Sequence, residues 1–512
     1  MNRRELFWRA GAAAVSVFAP ARFVGATEVA ADLTLREDPE ALRIPADFIG
    51  LSYELAQLSD PTFFSVNNED LVAYFRLLSA NGVLRLGGNT SEFCWFKANG
   101  STLEPVLHVP PGNLDANWMP HRLFEVTPEA IDALAGFVRA TGWRLIYGVN
   151  FGNSTPQRAA EEAACVAQKV GGQLEFFQIG NEPDLYTKAS NGTRPPGWSF
   201  ADYVREWTSF ANAIAARVSE ARFGGPDVAA SSDWVTRFSA EVPSAIASRL
   251  VALTGHYYAE GPPDDPRVTI ERLLAGDPKI AMETKAIVAA ARGTGRVYRM
   301  SEGNSCYRGG KPGMSDAFAA ALWAGDYLLE LASLGCAGVN LHGGRSEFLT
   351  AGLGGHTPGM EVAKTPQAVQ SGFYSPIQSE PGRDVKAMPV FYGMMLANQF
   401  AGATMLRVEG DLHGVNAPVY AGRRGNETRI AVLNKDAATP LVLTLRGGFV
   451  ARTGRIWRLQ GPGLDATNGV RLAAAEIDPH ARWSARAEAV EASNGTLRLR
   501  VPEASAALLF LE

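Results

Sequence analysis

The chain has 512 residues, 46% hydrophobic and 20% charged, an ordinary globular balance with ample apolar content for a large core. Its net charge of −5 carries no polyanion-binding signature, which removes nucleic acid from the expected partners. The four cysteines, Cys94, Cys165, Cys306 and Cys336, and the seven histidines form no metal-ligand pattern. Neither a metal nor a cofactor is expected, and the cysteines read as free thiols, mostly buried.

At the start, Arg3-Arg4 precedes Leu6-Phe7, a short apolar run from Ala10 to Ala19, and the small-residue stretch Val24-Gly25-Ala26. This resembles a twin-arginine export signal over residues 1–26, implying a periplasmic or secreted bacterial protein that folds before transport. The run is too short to span a bilayer, and no later stretch reaches the ~18 apolar residues of a membrane helix. No membrane contact is expected once the signal is removed.

Residues 27–43 contain one alternating segment, Val29, Ala31, Leu33 and Leu35 against Glu28, Asp32, Thr34 and Arg36, the pattern of a half-buried strand with no neighbour nearby in sequence. From residue 44 to about 401, short apolar segments alternate with helical ones. Eight candidate strands follow: 48–54, 83–89, 144–150, 175–182, 223–232, 253–261, 297–304 and 338–344. Nearly all end in polar residues or glycine. Repeated β-α units with polar strand ends predict an α/β fold, a (β/α)₈ TIM barrel whose functional groups converge on one mouth. Asp316 to Ser333 carries an apolar helical stripe, Thr127 is a plausible N-cap, and a helix near Pro389 to Gln399 would close the barrel. From residue 402 to 512 the pattern becomes alternating, as in Leu441, Leu443 and Leu445 and in Leu497, Leu499 and Val501. This predicts an antiparallel β-sandwich, into which the isolated strand at 29–35 would pair.

The stretch FFQIGNEPDLY delivers Asn181 and Glu182 to the end of the fourth barrel strand, and VYRMSEGNSCY delivers Glu302 to the end of the seventh. A buried strand tipped with a carboxylate is costly unless the group is used. Two such groups across one barrel mouth are what glycosidic bond cleavage needs, and their placement suggests the ~5 Å separation of a retaining enzyme. Glu182 reads as general acid/base, its pKa raised by burial, and Glu302 as nucleophile. His256 and Tyr258 face one side of the sixth strand; the Tyr258 hydroxyl would hold Glu302, while His256 serves the site or is a satisfied core histidine. Asn181 would bond a sugar 2-hydroxyl. Asp184 reads as a loop or helix-start carboxylate, and the Gly-, Pro- and Ser-rich stretch 350–383 as a lid or subsite loop.

The segments GLSYELAQ, VLRLGGNTSE, GWRLIYGVN, FFQIGNEPDLY, GHYYAEGPP, SEGNSCYRGGKPGMSDAFAAALWAGDYL and GVNLHGG together resemble bacterial β-glucuronidases of the heparanase family, glycoside hydrolase family 79. The resemblance implies a retaining hydrolase with a catalytic barrel and a sandwich built from both chain ends, Glu182 as acid/base and Glu302 as nucleophile. It implies that Glu54 accepts bonds from sugar hydroxyls and that Tyr307 helps bind a uronate carboxylate. One region departs. After HGG the family carries glycines and a tyrosine that complete the carboxylate pocket, where this chain has Arg345-Ser346-Glu347-Phe348-Leu349. Arg345 would replace the missing contact with a charge-assisted bond, or it is a solvated loop cation.

The expected activity is therefore retaining exo-β-glucuronidase action on a carbohydrate substrate, releasing glucuronic acid or its 4-O-methyl form. Three alternatives stand beside it: an endo-acting enzyme of heparanase type, a retaining β-glycosidase for another sugar, and a non-catalytic carbohydrate-binding protein. An endo enzyme on a sulfated polymer would use a basic cleft, of which the chain shows no run.

Overall fold

Eight parallel strands close into a barrel: Ile49–Glu54, Val83–Gly87, Arg144–Val149, Leu174–Ile179, Phe223–Val228, Leu250–Glu260, Val297–Cys306 and Gly338–Gly343, with the eighth hydrogen-bonded to the first. They are named below by their order around the barrel. The computed structural model describes residues 28–107, 123–188, 193–353, 372–449, 453–493 and 495–511. The expected export segment lies outside these residues, as does most of the expected lid.

The strands are apolar on both faces because one face fills the barrel and the other meets the helices. Ile49–Glu54 is buried along its whole length. Helices begin where the sequence places caps: the Thr127 hydroxyl accepts from the Ala130 N–H at the start of Pro128–Thr141, and Ser199 and Asp202 form a capping box before Phe200–Arg217. Phe318–Ser333 and Pro389–Asn398 pack very closely. A Cβ on Gly393 would lie 2.1 Å from the Ala321 carbonyl oxygen, so only glycine allows this approach.

The second domain is a curled, mostly antiparallel sheet of ten strands folded into two layers. Val29–Arg36 inserts there, antiparallel to Thr404–Gly410 and parallel to Leu441–Arg446. Thr404–Gly410 joins the layers, pairing with Val419–Arg424 through its first half and with Val29–Arg36 through its second. Leu33, Leu443, Leu499, Ile430 and Leu509 share the core between the layers. Strand Ser505–Leu511 is buried throughout because its faces serve two cores: Ala507, Leu509 and Leu511 point into the sandwich, and Ala506, Leu508 and Phe510 join the barrel core. The four cysteines are unpaired, Cys94, Cys306 and Cys336 being buried.

Candidate active site

The barrel interior below the mouth is organised by a residue the sequence reading passed over. Arg85, on the second strand, is 1% exposed. Its five N–H groups are all taken: Nε donates to Gln178 (3.0 Å), Nη1 to Ser52 (3.1 Å) and Glu302 (2.5 Å), and Nη2 to Asn181 (2.8 Å) and Asp227 (2.6 Å). Asp227, at the end of the fifth strand, also accepts from Gln178 Nε2 and Ser301 Oγ, each at 2.5 Å. Burial pushes its carboxyl upward, but Arg85, His256 and the Ser301 hydroxyl outweigh that and hold it well below the usual range.

Local backbone irregularities aim these groups. The seventh strand shifts register between Met300 and Glu302, so that Ser301 and Glu302, adjacent in sequence, both reach the interior. The fifth strand shifts between Pro226 and Val228, and Asp227 adopts a left-handed φ of 63°. Glu182 is likewise left-handed, φ 51°, and its N–H donates to the Asp227 carbonyl (2.8 Å). The turn before it is fixed by Glu92, a buried carboxylate accepting from the backbone N–H groups of Phe151, Gly152 and Asn181 and from the Tyr186 hydroxyl.

Around Glu302, Arg85 holds one oxygen and the Tyr258 hydroxyl donates to the other at 2.7 Å. His342 Nδ1 lies 3.6 Å and His256 Nδ1 4.0 Å away. Burial raises the Glu302 pKa, yet His342, His256, Arg85 and Tyr258 together bring it down to about 2. Among the described residues Glu182 has one close side-chain partner, His256 Nδ1 at 3.0 Å. Burial and the Glu302 charge push its carboxyl up, against the pull of His256. For His256, burial lowers the pKa, but Asp227 and Glu302 reverse this and carry it to about 10. Its Nε2 is 3.2 Å from Asp227 without hydrogen-bond geometry.

Glu182, His256, Glu302, Tyr258, Glu54 and Tyr307 border one cavity of about 660 Å³, within the usual range for small-ligand sites. Glu54, at the end of the first strand, accepts from the Thr90 N–H and hydroxyl and lies 3.5 Å from His342 Nε2. Asn181 sits behind the cavity: its oxygen accepts from Arg85 and its amide donates to Asn89, which is the one lining the cavity. Asp184 accepts from the N–H groups of Ala229, Ala230 and Ser231, tying the ends of the fourth and fifth strands together.

Arg345 requires correction. Its guanidinium donates to Asp60 (2.5 Å) and the Ser379 carbonyl (3.2 Å) and stacks 4.6 Å above the Phe63 ring. It does not border the cavity, and its side chain, 14% exposed, is no solvated cation either. The aromatic that does enter beside the eighth strand is Tyr374, from a later segment, with its ring 6.1 Å from Tyr258 and 5.9 Å from His342. Asn304 holds it there by donating to both the His342 carbonyl (2.8 Å) and the Tyr374 carbonyl (2.9 Å).

Glu182, His256 and Glu302 offer atoms within 4.8 Å of one another, a spacing that would suit a metal ion. Both oxygens of Glu302 are already held, one by Arg85 and one by the Tyr258 hydroxyl, and His256 Nδ1 lies against Glu182. The arrangement suits one carboxyl kept protonatable and one kept ionised, side by side.

No protein-family model matches the chain. In sequence it is similar to a β-glucuronidase of Aspergillus niger, 27% identical over 333 residues (60% of each chain), and to one of Neurospora crassa, 25% identical over 367 residues (63% of this chain). The matched region spans 60% of the length of each of these curated relatives. In structure it is similar to a 4-O-α-L-rhamnosyl-β-D-glucuronidase from Fusarium oxysporum 12S, with a TM-score of 0.72 at 16% identity over 94% of this chain and 100% of that one. A family 51 arabinofuranosidase from Xanthomonas axonopodis gives a TM-score of 0.63 at 14% identity, over 95% and 100%. The chain is thus related in sequence to β-glucuronidases, and its fold is one that arabinofuranosidases share.

Proposed function

We propose that the chain is a retaining exo-β-glucuronidase of the heparanase family, releasing terminal β-linked glucuronic acid, or its 4-O-methyl form, from oligosaccharides or glycoconjugates. The observation that carries this reading is the carboxylate pair. Oxygens of Glu182 and Glu302 lie within 4.8 Å of each other, one carboxyl raised and the other lowered to about 2. Retaining glycosidases hold their carboxyl groups ~5–5.5 Å apart, too close to seat a water between them and the sugar. The uronate comes from the relatives' activities and from the family resemblance of Tyr307.

In this mechanism Glu302, held by Arg85 and Tyr258, attacks the anomeric carbon while Glu182 gives its proton to the leaving oxygen. A glycosyl ester forms on Glu302. Glu182, now ionised beside cationic His256, takes a proton from water, which attacks the same carbon and frees Glu302. Glu54 would accept from a sugar hydroxyl. Exo action is favoured because the acidic chain has no basic run to follow a sulfated polymer.

The test is turnover of a panel of p-nitrophenyl β-glycosides, with the anomer of the first product followed by NMR. We expect β-glucuronide cleavage releasing the β-anomer first. An α-anomer would exclude the double displacement, a preference for neutral sugars would exclude the glucuronidase reading, and no turnover of any glycoside would favour a binding protein. Export is proposed on residues 1–26 alone; a mature amino terminus near residue 27 in a periplasmic fraction is the expected result, and full-length protein confined to the cytoplasm would refute it.

A further inference from the structure

The cavity that holds Glu182 and Glu302 does not end at the barrel mouth. Val235, Ile280, Thr284, Ile287, Tyr298 and Met300 border it too, each at most 5% exposed. Val235 lies on helix Ser232–Glu241, which follows the fifth strand, and Ile280, Thr284 and Ile287 on helix Pro278–Gly293, which precedes the seventh. Tyr298 and Met300 share one face of the seventh strand, the Tyr298 hydroxyl donating to Met300 Sδ at 3.7 Å. On the sixth strand His256 and Tyr258 face the catalytic carboxylates, so Gly255 and Tyr257 face the other way, toward these helices. The cavity therefore has a second chamber, behind the sixth strand.

Gly255 keeps this chamber open. A Cβ there would lie 3.5 Å from the Tyr298 hydroxyl and 3.7 Å from a Val235 methyl group, so a larger side chain would occupy the space between the walls. The buried lining is apolar apart from two hydroxyls. That of Tyr298 is turned to Met300. That of Thr284 has no hydrogen-bond partner among the described residues, although a buried helical threonine usually bonds the carbonyl one turn back. Leaving such a bond unmade is costly. An apolar wall with one oriented polar group is the make-up of a small-ligand site. Charged groups border the cavity where it is more exposed: Lys188, Asp277, Lys279 and Glu283, with Lys279 paired to Glu283 at 3.4 Å.

Contacts lead from Glu182 to this chamber. The Glu182 N–H donates to the Asp227 carbonyl, and Asp184 accepts from the N–H groups of Ala229, Ala230 and Ser231, so the turn after the fifth strand lies against Glu182. Ala229, Ala230 and Ser232 border the cavity and run into the helix that carries Val235. In the mechanism above Glu182 protonates the leaving oxygen, so the leaving group begins beside this turn.

We propose that the chamber is an aglycone site, taking an apolar leaving group, alkyl or aryl, that carries a hydroxyl or carbonyl to meet Thr284. This rests on the glucuronidase reading and narrows its substrates to glucuronides of apolar alcohols. The sugar stays over Glu302 in the barrel mouth, and the aglycone passes the end of the fifth strand into the space behind the sixth.

The experiment measures kcat/KM for methyl, hexyl and 6-hydroxyhexyl β-D-glucuronides, with the same three alcohols as β-D-glucosides in parallel. The enzymes are wild type, Val235→Phe and Ile287→Phe, which fill the chamber from two different helices, and Thr284→Val, which keeps its shape and removes the hydroxyl. Each methylene taken up is worth roughly three- to fourfold. Wild type should favour hexyl over methyl roughly 10- to 100-fold, mostly through KM. Either filling variant should abolish most of that preference, and partial unfolding, which lowers both activities, cancels in the ratio. Thr284→Val should lower the 6-hydroxyhexyl-to-hexyl ratio roughly two- to tenfold. A hexyl-to-methyl ratio near one in wild type, or one that both filling variants leave unchanged, overturns the aglycone site and leaves the glucuronidase reading standing. An unchanged 6-hydroxyhexyl-to-hexyl ratio in Thr284→Val overturns the role of Thr284. Cleavage of the glucosides alone overturns the glucuronidase reading, while their alkyl ratio still decides the chamber; cleavage of neither series overturns both.

Discussion

Glu182, just past the fourth barrel strand, and Glu302, on the seventh, are the same side chain in opposite surroundings. Glu302 is gripped by Arg85 and Tyr258 and flanked by two histidines, so its charge is compensated from several directions. Glu182 is held mainly through its backbone, by Asp227 and the Glu92-anchored turn, and among the described residues its carboxyl meets His256 alone at close range. Burial acts upward on both, and the number of partners decides the outcome. On the mechanism proposed above, one barrel would make an acid and a nucleophile from two glutamates by how many partners it brings to each.

Removing the groups that differ should separate the two ends. Glu302→Ala should lower kcat for an aryl glucuronide roughly 10⁶-fold, the order seen when an activated nucleophile is lost. Azide added to this variant should give an α-glycosyl azide, detectable by mass and NMR; turnover near wild type would remove Glu302 from the chemistry. Glu182→Gln should cost roughly 10² to 10⁴ in kcat/KM, which reads the first step, on poor leaving groups and much less on p-nitrophenol, which departs without a proton. An equal loss on both would argue against its acid role.

Arg85→Met should destabilise the fold by about 3–5 kcal/mol in chemical denaturation, because it leaves Asp227 and Glu302 buried and uncompensated. The sign of its pH dependence follows from Glu302. Its folded pKa of about 2 lies below the ordinary 4.5, so its stabilisation is fully present above pH 4.5 and is lost as pH falls toward 2. Arg85→Met should lose much of that acid dependence. Tyr258→Phe is the mildest change. It removes one hydrogen bond to the ionised Glu302 and should move the acidic limb of kcat/KM upward by on the order of one pH unit, a shift pH-rate profiles resolve.

Much of this was legible in sequence, and the reason for the rest is physical. Barrel strands announce themselves by apolar runs ending in polar residues, and those ends carry Glu54, Glu182, Tyr258 and Glu302. Arg85 and Asp227 lie within or at strands whose apolar neighbours mask them, and their meaning appears only when the barrel closes and brings the second, fifth and seventh strands together. The signal was present: an ionisable residue inside an apolar barrel strand must have a buried partner. Arg345 illustrates the opposite error. Adjacency to HGG suggested the pocket, yet the loop turns into helix Ser346–Ala351 and Asp60 captures the guanidinium. Tyr374 was out of reach because it enters beside the eighth strand from a segment far along the chain.

Strand Ser505–Leu511 has a consequence for how the protein is made. It lies between Glu427–Asn434 and Thr453–Gln460, at the centre of its layer, while its other face completes the barrel core. The barrel is synthesised well before it. Until this strand arrives, the barrel has a bare apolar flank, and the sheet is split along two unpaired edges open to neighbouring chains. Val29–Arg36 waits equally long for Leu441–Arg446. A barrel that looks self-sufficient thus depends on distant segments, and a nascent chain halted short of residue 505 would be a substrate for chaperones rather than a smaller enzyme.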